Sequence, residues 1–143
     1  MPTISTSIQI DRPPAEVWQV LLAFEGWPAW TPMTVRMEGR PEVGAPVRLQ
    51  SVLREGGRQI PARARLLVVE PSRELRWGGG LGGLLWIEHW FGLSPEGAGT
   101  RVEHTERFEG LLARPGVRLL GLGPGIYQRA LEGLKRRVEA DGA

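Results

Sequence analysis

The residues of this chain best suited to chemistry are two histidines and the glutamates around them, and all lie in EHWFGLSPEGAGTRVEHTERFEG, residues 88–110. Each histidine directly follows a glutamate, as Glu88-His89 and Glu103-His104, so the stretch reads as a Glu-His pair written twice. An imidazole changes charge near neutral pH and a carboxylate lower down, which suits general acid–base work where the two meet in a partly dry site. Two imidazoles and a carboxylate also form a set that iron or zinc accepts. Which chemistry applies depends on which of these side chains point the same way.

The stretch SPEGAG between Leu93 and Thr100 reads as a hairpin turn, with proline and glycine placed to reverse the chain. Setting Leu93 opposite Thr100 pairs Phe91 with Val102, His89 with His104 and Ile87 with Glu106. One face then carries Leu85, Ile87, His89, Phe91 and Leu93 with Val102, His104, Glu106 and Phe108. It is mostly apolar and is expected to face inward. The other carries Trp86, Glu88 and Trp90 with Arg101, Glu103, Thr105 and Arg107. Period two therefore separates each glutamate from its histidine: Glu88 and Glu103 point out, whereas His89, His104 and Glu106 share the inner face. Side chains of neighbouring strands stand parallel rather than converging, which disfavours a metal; no metal and no cofactor is expected. Two readings stay open. His104 and Glu106 can serve as acid and base, or the three groups hydrogen-bond one another and orient a ligand without turning it over.

Composition bounds what the rest can be. At 143 residues the chain is expected to form one domain, residues 1–143, with room for a substantial core. No apolar run approaches a membrane span, and MPTISTSIQID lacks the basic start and apolar core of a secretory signal, so a cytoplasmic protein without stable membrane insertion is expected. The absence of cysteine excludes disulfides, thiolate catalysis and cysteine-based zinc sites. Seventeen of the eighteen basic residues are arginine, but they are scattered among glutamates and the net charge is only +2. The longest basic run, Lys135-Arg136-Arg137, reads as a solvated helix end, and no nucleic-acid partner is expected.

The elements that must position the histidines follow from periodicity. Ile4, Ile8 and Ile10 alternate with polar residues over Thr3 to Ile10, a strand with one buried face. Pro13-Pro14 opens a helix whose core face is Val17, Val20, Leu21 and Phe24 and which Gly26 stops; WPAWTP, 27–32, follows as a second short helix or tight turn. Short strands are expected over Val35 to Glu38, Pro46 to Leu53, Gln59 to Glu70 and Glu74 to Trp77. Val47, Leu49 and Leu53 point inward on the second of these, and Ala62, Ala64, Leu66 and Val68 on the third. GGGLGG, 78–83, reads as a mobile loop. Beyond Gly110, Tyr127, Ala130, Leu131, Leu134 and Val138 form one helical stripe, with a break near Pro124. The order is α+β: a strand, helices, six strands and a long helix, giving a curved antiparallel sheet packed on a C-terminal helix.

In this order PPAEVW (13–18), WPAWTP (27–32), GRPEVGAPVRL (39–49), ELRW (74–77) and GTRVEHTERFEG (99–110) resemble the START-like SRPBCC superfamily, and within it the polyketide cyclase/dehydrase-like and carbon-monoxide-dehydrogenase-subunit-G-like branches. The resemblance implies a helix-grip fold, related to Bet v 1, around an elongated apolar cavity that takes a lipid, quinone or polyketide-like molecule. Inward Ala62 and Ala64, small where a packed sheet favours bulk, agree with such a cavity. The expected polar anchors are His89, His104 and Glu106, and the expected walls Trp30, Ala62, Ala64, Leu75, Trp77, Phe91, Phe108, Tyr127 and Leu131. Trp18 and Trp27 can line it too or pack in the core. Two other readings remain: a cyclase- or dehydratase-like enzyme using His104 and Glu106, and a protein-partner module like the heat-shock ATPase activators of the same superfamily. Outward Trp86 and Trp90 mean either a different register or an apolar patch, and a homodimer through that patch is one option.

Overall fold

Burial of every second residue builds a sheet, and burial at helical spacing lays the last helix against it. The computed structural model describes residues 2–52, 54 and 56–142. The elements are β1 (Thr3–Ile10), α1 (Pro14–Leu22), a 3₁₀ turn (Phe24–Ala29), β2 (Thr34–Gly39), β3 (Pro46–Val52), β4 (Gln59–Glu70), β5 (Glu74–Leu81), β6 (Leu85–Glu96), β7 (Gly99–Glu109), α2 (Ala113–Leu120) and α3 (Pro124–Asp141). The seven strands form one antiparallel sheet in the order β1-β7-β6-β5-β4-β3-β2. Strands β2 to β7 are consecutive neighbours, while α1 and the 3₁₀ turn carry the chain from the β1 edge to the opposite β2 edge. Helix α3 lies along β1 and buries the expected stripe, Tyr127, Ala130, Leu131, Leu134 and Val138. The break before it is present: Gly121 ends α2 in the left-handed conformation and Pro124 starts α3 at a position with no amide partner to lose.

Four local expectations need correction. Helix α1 ends at Leu22, and Gly26 lies inside the 3₁₀ turn rather than stopping the helix. Most of the glycine run is strand, not loop. Gly78, Gly79 and Gly80 pair with Glu88, Ile87 and Trp86, leaving only residues 82–84 to turn. Backbone pairing needs no side chain, and a Cβ on Gly79 would stand 2.6 Å from the Arg63 carbonyl. On β4 a bulge between Leu66 and Val68 shifts the alternation by one residue. Val68 therefore lies opposite outward Arg76, and Val69, opposite Leu75, packs on the core in its place. The β6–β7 hairpin closes on the two residues Gly97 and Ala98, with Gly97 at φ 61 as a tight reversal requires. Leu93 thus faces Val102, Phe91 faces His104 and His89 faces Glu106, two residues away from the expected register. A two-residue shift keeps every side chain on its predicted face. Leu53, expected inward on β3, lies outside the described residues.

The tightest junction is Gly133 of α3 against the carbonyl of Trp30, which a Cβ would approach to 1.7 Å. Gly133→Ala is expected to lower stability by about 2 kcal/mol or more, because overpacking against backbone outweighs the roughly 1 kcal/mol of helix propensity gained. Gly116 of α2 has nothing within 4 Å of its would-be Cβ. Gly116→Ala should raise the melting temperature slightly, by the propensity gain alone. Thermal unfolding of both variants checks the pair, and equal shifts would refute the close approach.

Candidate functional site

A cavity of about 430 Å³ lies between the sheet and the segment running from the 3₁₀ turn into β2. Trp27 and Trp30 of the turn, with Met33 beyond it, form one wall; Ala62 and Ala64 of β4 and the backbone of Gly78–Gly80 on β5 form another. Leu85 and Ile87 of β6 continue the apolar lining, and Leu120 of α2 and Ile60 of β4 stand where it opens. Polar residues are few: Thr31, Thr34 and Ser51 on the β2–β3 side, Arg63 on β4, and His89, His104 and Glu106 at the far end. A concave, mostly apolar space of this size with a few convergent polar groups is the usual form of a small-molecule site.

Aromatic rings hold the walls in place. Trp27, almost wholly buried and anchored by its Nε1–H to the Leu21 carbonyl at 3.0 Å, meets Phe24, Trp30, Trp77 and Phe91 with centroids 5.2 to 5.8 Å apart. Most of these contacts are edge-to-face, the arrangement a ring's quadrupole favours. Cross-strand neighbours continue the pattern. Trp77 lies over His89 at 4.4 Å and Phe91 over His104 at 4.3 Å, each nearly parallel. The Trp30 Nε1–H is buried without a hydrogen-bond partner.

At the end of the cavity four groups close a hydrogen-bonded circuit. The Tyr127 hydroxyl donates to Glu106 Oε1, and His89 Nδ1 meets Glu106 Oε2 at 3.2 Å. His89 Nε2 meets His104 Nε2, and His104 Nδ1 lies 3.3 Å from the Tyr127 carbonyl. A carbonyl can only accept, so His104 carries its proton on Nδ1 and presents a lone pair at Nε2. His89 then donates from Nε2 to His104, and its Nδ1 faces the Glu106 carboxyl group. The Trp77 ring stacks over His89 and fixes the plane of its imidazole. Burial, and then the neighbouring His89, hold His104 well below its ordinary 6.5, although the Tyr127 carbonyl pulls the other way. Burial pushes the Glu106 carboxyl up, but His89 and the Tyr127 hydroxyl outweigh it and leave it below its usual range. Burial and the adjacent carboxylate drive the Tyr127 phenol upward, so it stays a donor.

Of the twelve expected site residues, eight line the cavity: His89, His104, Glu106, Trp30, Ala62, Ala64, Trp77 and Phe91. Four do not. Leu75 and Leu131 belong to a filled cluster with Val17, Leu21 and Phe24, because α1 packs over that part of the sheet. Phe108 is buried away from the cavity, and Tyr127 stands behind Glu106 as its hydrogen-bond donor. Trp18 is core as well. Trp27, left open between wall and core by the sequence, lines the cavity; Met33, Thr34 and the Gly78–Gly80 backbone line it without being among the expected walls, and the neighbouring WPAWTP aromatics are the one signal in the sequence that points there. Among the described residues no group of three His, Asp or Glu side chains could hold a metal ion, since the two histidines point their Nε2 atoms at each other. Trp86 and Trp90 do lie on the outer face. Arg76 covers the Trp90 ring at 4.1 Å and itself bonds Glu74 and Glu88, so the indole is not a bare patch.

The polyketide cyclase / dehydrase and lipid transport family matches residues 1–139. A Thermus thermophilus protein of known structure superposes with a TM-score of 0.76 at 22% identity, over 99% of this chain and 100% of its own. A Mesorhizobium loti protein gives 0.76 at 19%, over 97% and 98%, and a START superfamily protein from Mycobacterium smegmatis gives 0.72 at 17%, over 96% and 97%. At these identities the likeness carries the fold alone, which is the expected α+β helix-grip architecture. No curated protein matches the chain.

The circuit makes stability depend on pH with a definite sign. The unfolded chain protonates His104 around 6.5 while the folded one resists, and it protonates Glu106 around 4.5 while the folded one again resists. Both contributions are complete above 6.5 and are lost as pH falls, first through His104 and then through Glu106. The melting temperature is therefore expected to decline from pH 7 to pH 5. His104→Asn keeps a donor toward the Tyr127 carbonyl but cannot titrate, so its decline over that interval should be clearly smaller. An unchanged decline would assign the effect to another group.

Proposed function

Because the chain belongs to the polyketide cyclase / dehydrase and lipid transport family, we propose that it binds a hydrophobic, ring-containing small molecule in the cavity between its sheet and its helices. The observation that carries this reading is the 430 Å³ space itself, walled by aromatic rings and kept clear by Ala62, Ala64 and Gly79, where ordinary side chains would have filled it. Interiors are otherwise packed to crystal density, so a void of this size ringed by rigid aromatics is a feature to be explained by an occupant. The circuit supplies orientation. Its donors are all engaged internally, and the carboxylate oxygens of Glu106 keep spare lone pairs, so a ligand hydroxyl or enol is the group it receives best. The unpartnered Trp30 N–H suits a ligand acceptor.

Titration with the neutral fluorescent probe N-phenyl-1-naphthylamine should give saturable binding at one site per chain. Ala64→Phe, which fills the cavity, should weaken it at least ten-fold with little change in melting temperature. Undiminished binding by that variant would refute the site.

One observation favours a second reading, proton transfer on the bound molecule. His89 Nδ1 and Glu106 Oε2 meet at 3.2 Å with both side chains partly open, whereas His104 is sealed. The acid–base pair of that reading is therefore His89 with Glu106 rather than His104 with Glu106. Glu106→Gln should then abolish turnover of an enolisable ring ketone while leaving probe binding within a few-fold of wild type; retained turnover would remove the enzymatic reading.

A further inference from the structure

The mouth of the cavity continues into a surface of a different kind. Six leucines, exposed by between 42% and 88%, gather in two segments that touch. Leu81 ends β5 and Leu84 lies in the turn that follows; Leu111, Leu112, Leu119 and Leu120 belong to α2 and the residues before it. The segments are joined by backbone bonds, Leu111 N–H to the Gly83 carbonyl at 3.1 Å and Leu112 N–H to the Leu84 carbonyl at 2.8 Å. Leu120 also lines the cavity, so the exposed collar and the inner wall are one apolar surface. Scattered exposed leucines need no explanation, but six gathered in two bonded segments, one of which reaches the opening through Leu120, mark a place where something docks.

Charge narrows what that is. From Gly110 to Leu131 there is no acidic residue. Arg114 and Arg118 are exposed one turn apart on α2, and Arg54 of the β3–β4 loop reaches the end of α2, 3.9 Å from where a Cβ on Gly121 would stand. Arg58 follows four residues after Arg54, with Glu55 between them in the sequence. A second copy meeting this face through a two-fold axis would set arginine against arginine. An anionic lipid surface offers instead both an apolar layer for the leucines and phosphates for the guanidinium groups. No helix of the described residues is long and apolar enough to cross a membrane.

We propose that the leucine collar and its arginines dock the chain on an anionic lipid bilayer with the cavity mouth facing the lipid. That the cavity exchanges its ligand there rests on the binding reading above; the docking itself does not.

Flotation of ligand-free protein with vesicles tests it. The protein should float with phosphatidylcholine vesicles containing phosphatidylglycerol, much less with phosphatidylcholine alone, and less as salt rises. Arg118→Gln should weaken binding about five-fold, and Leu111→Glu with Leu119→Glu by more than ten-fold. Both variants should keep the wild-type melting temperature and, without vesicles, the wild-type affinity for N-phenyl-1-naphthylamine. Failure of the wild-type protein to float, or unchanged flotation of the double-leucine variant, overturns the proposal. So does a concentration-dependent dimer that the leucine substitutions dissolve, since the collar would then be a self-interface. The probe titration without vesicles reads the cavity alone, so loss of one reading is visible without loss of the other.

Discussion

Tyr127 fastens the last helix to the sheet by two bonds of opposite sense, and the candidate site depends on that junction. Its hydroxyl donates to Glu106 on β7, and its carbonyl accepts from His104 on the same strand. His89 on β6 joins Glu106 to His104, so the path returns to the residue it began with. Two imidazoles and a carboxylate are expensive to bury singly. Closed into a circuit they satisfy one another, and every proton has one place to be. The carboxylate stays ionised and His104 neutral for the same reason: each state is the one its neighbours can bond. Losing either histidine or Glu106 would orphan two partners, which makes the circuit both a structural clamp and the cavity's polar floor.

Beside that clamp the fold keeps a void by two complementary means. Side chains are missing where they would intrude: Ala62 and Ala64 on β4, and Gly79, opposite inward Ile87, on β5. Bulk is placed where it holds the rim apart, in the mutual packing of Trp27, Trp30, Trp77 and Phe91. The rings bury large areas and prefer edge contacts, so they stay rigid without filling the space between them. Toward the other end α1 closes over the sheet and the interior is solid, with Leu75 and Leu131 in the packed cluster. The concave face is thus half core and half cavity, and the position of α1 sets the division.

That division explains what is legible in the sequence and what is not. Period two names the inward set on β6 and β7 correctly, because alternation reports the face of a strand and nothing else. It cannot report the partner. His89 meets Glu106 rather than His104 across the hairpin because the turn is two residues long, and turn length is a backbone property that SPEGAG disguises with its proline and two glycines. The bulge on β4 leaves no trace in composition, so alternation puts Val68 on the wrong face while Ala62 and Ala64, before the bulge, fall on the right one. GGGLGG reads as loop because the alternation signal lives in side chains, whereas the pairing of Gly78–Gly80 lives in the backbone. Tyr127 and Leu131 fall on the true inner stripe of α3, yet a stripe cannot say whether it faces atoms or space. Leu131 faces atoms, and Tyr127 faces the back of the site.

Strand β6 uses one chemical device twice, once on each face. Outside, Arg76 lies over Trp90 and is held by Glu88, which also takes the Trp86 indole N–H. Inside, His89 lies under Trp77 and is held by Glu106, which also takes the Tyr127 hydroxyl. Each is a planar nitrogen base on an indole face steadied by a doubly bonded carboxylate. The surroundings make them different objects. Solvent reaches the outer set, where an ion pair adds at most about 1 kcal/mol and the arginine mainly keeps water off an indole. Water is scarce around the inner set, where a severed pair would leave a buried charge at a cost of about 3 to 5 kcal/mol. The repeated Glu-His therefore encodes no repeated site. Its first glutamate serves the outer device and its second, Glu103, neither, while the inner device draws on a carboxylate two residues further along, in phase with the histidines.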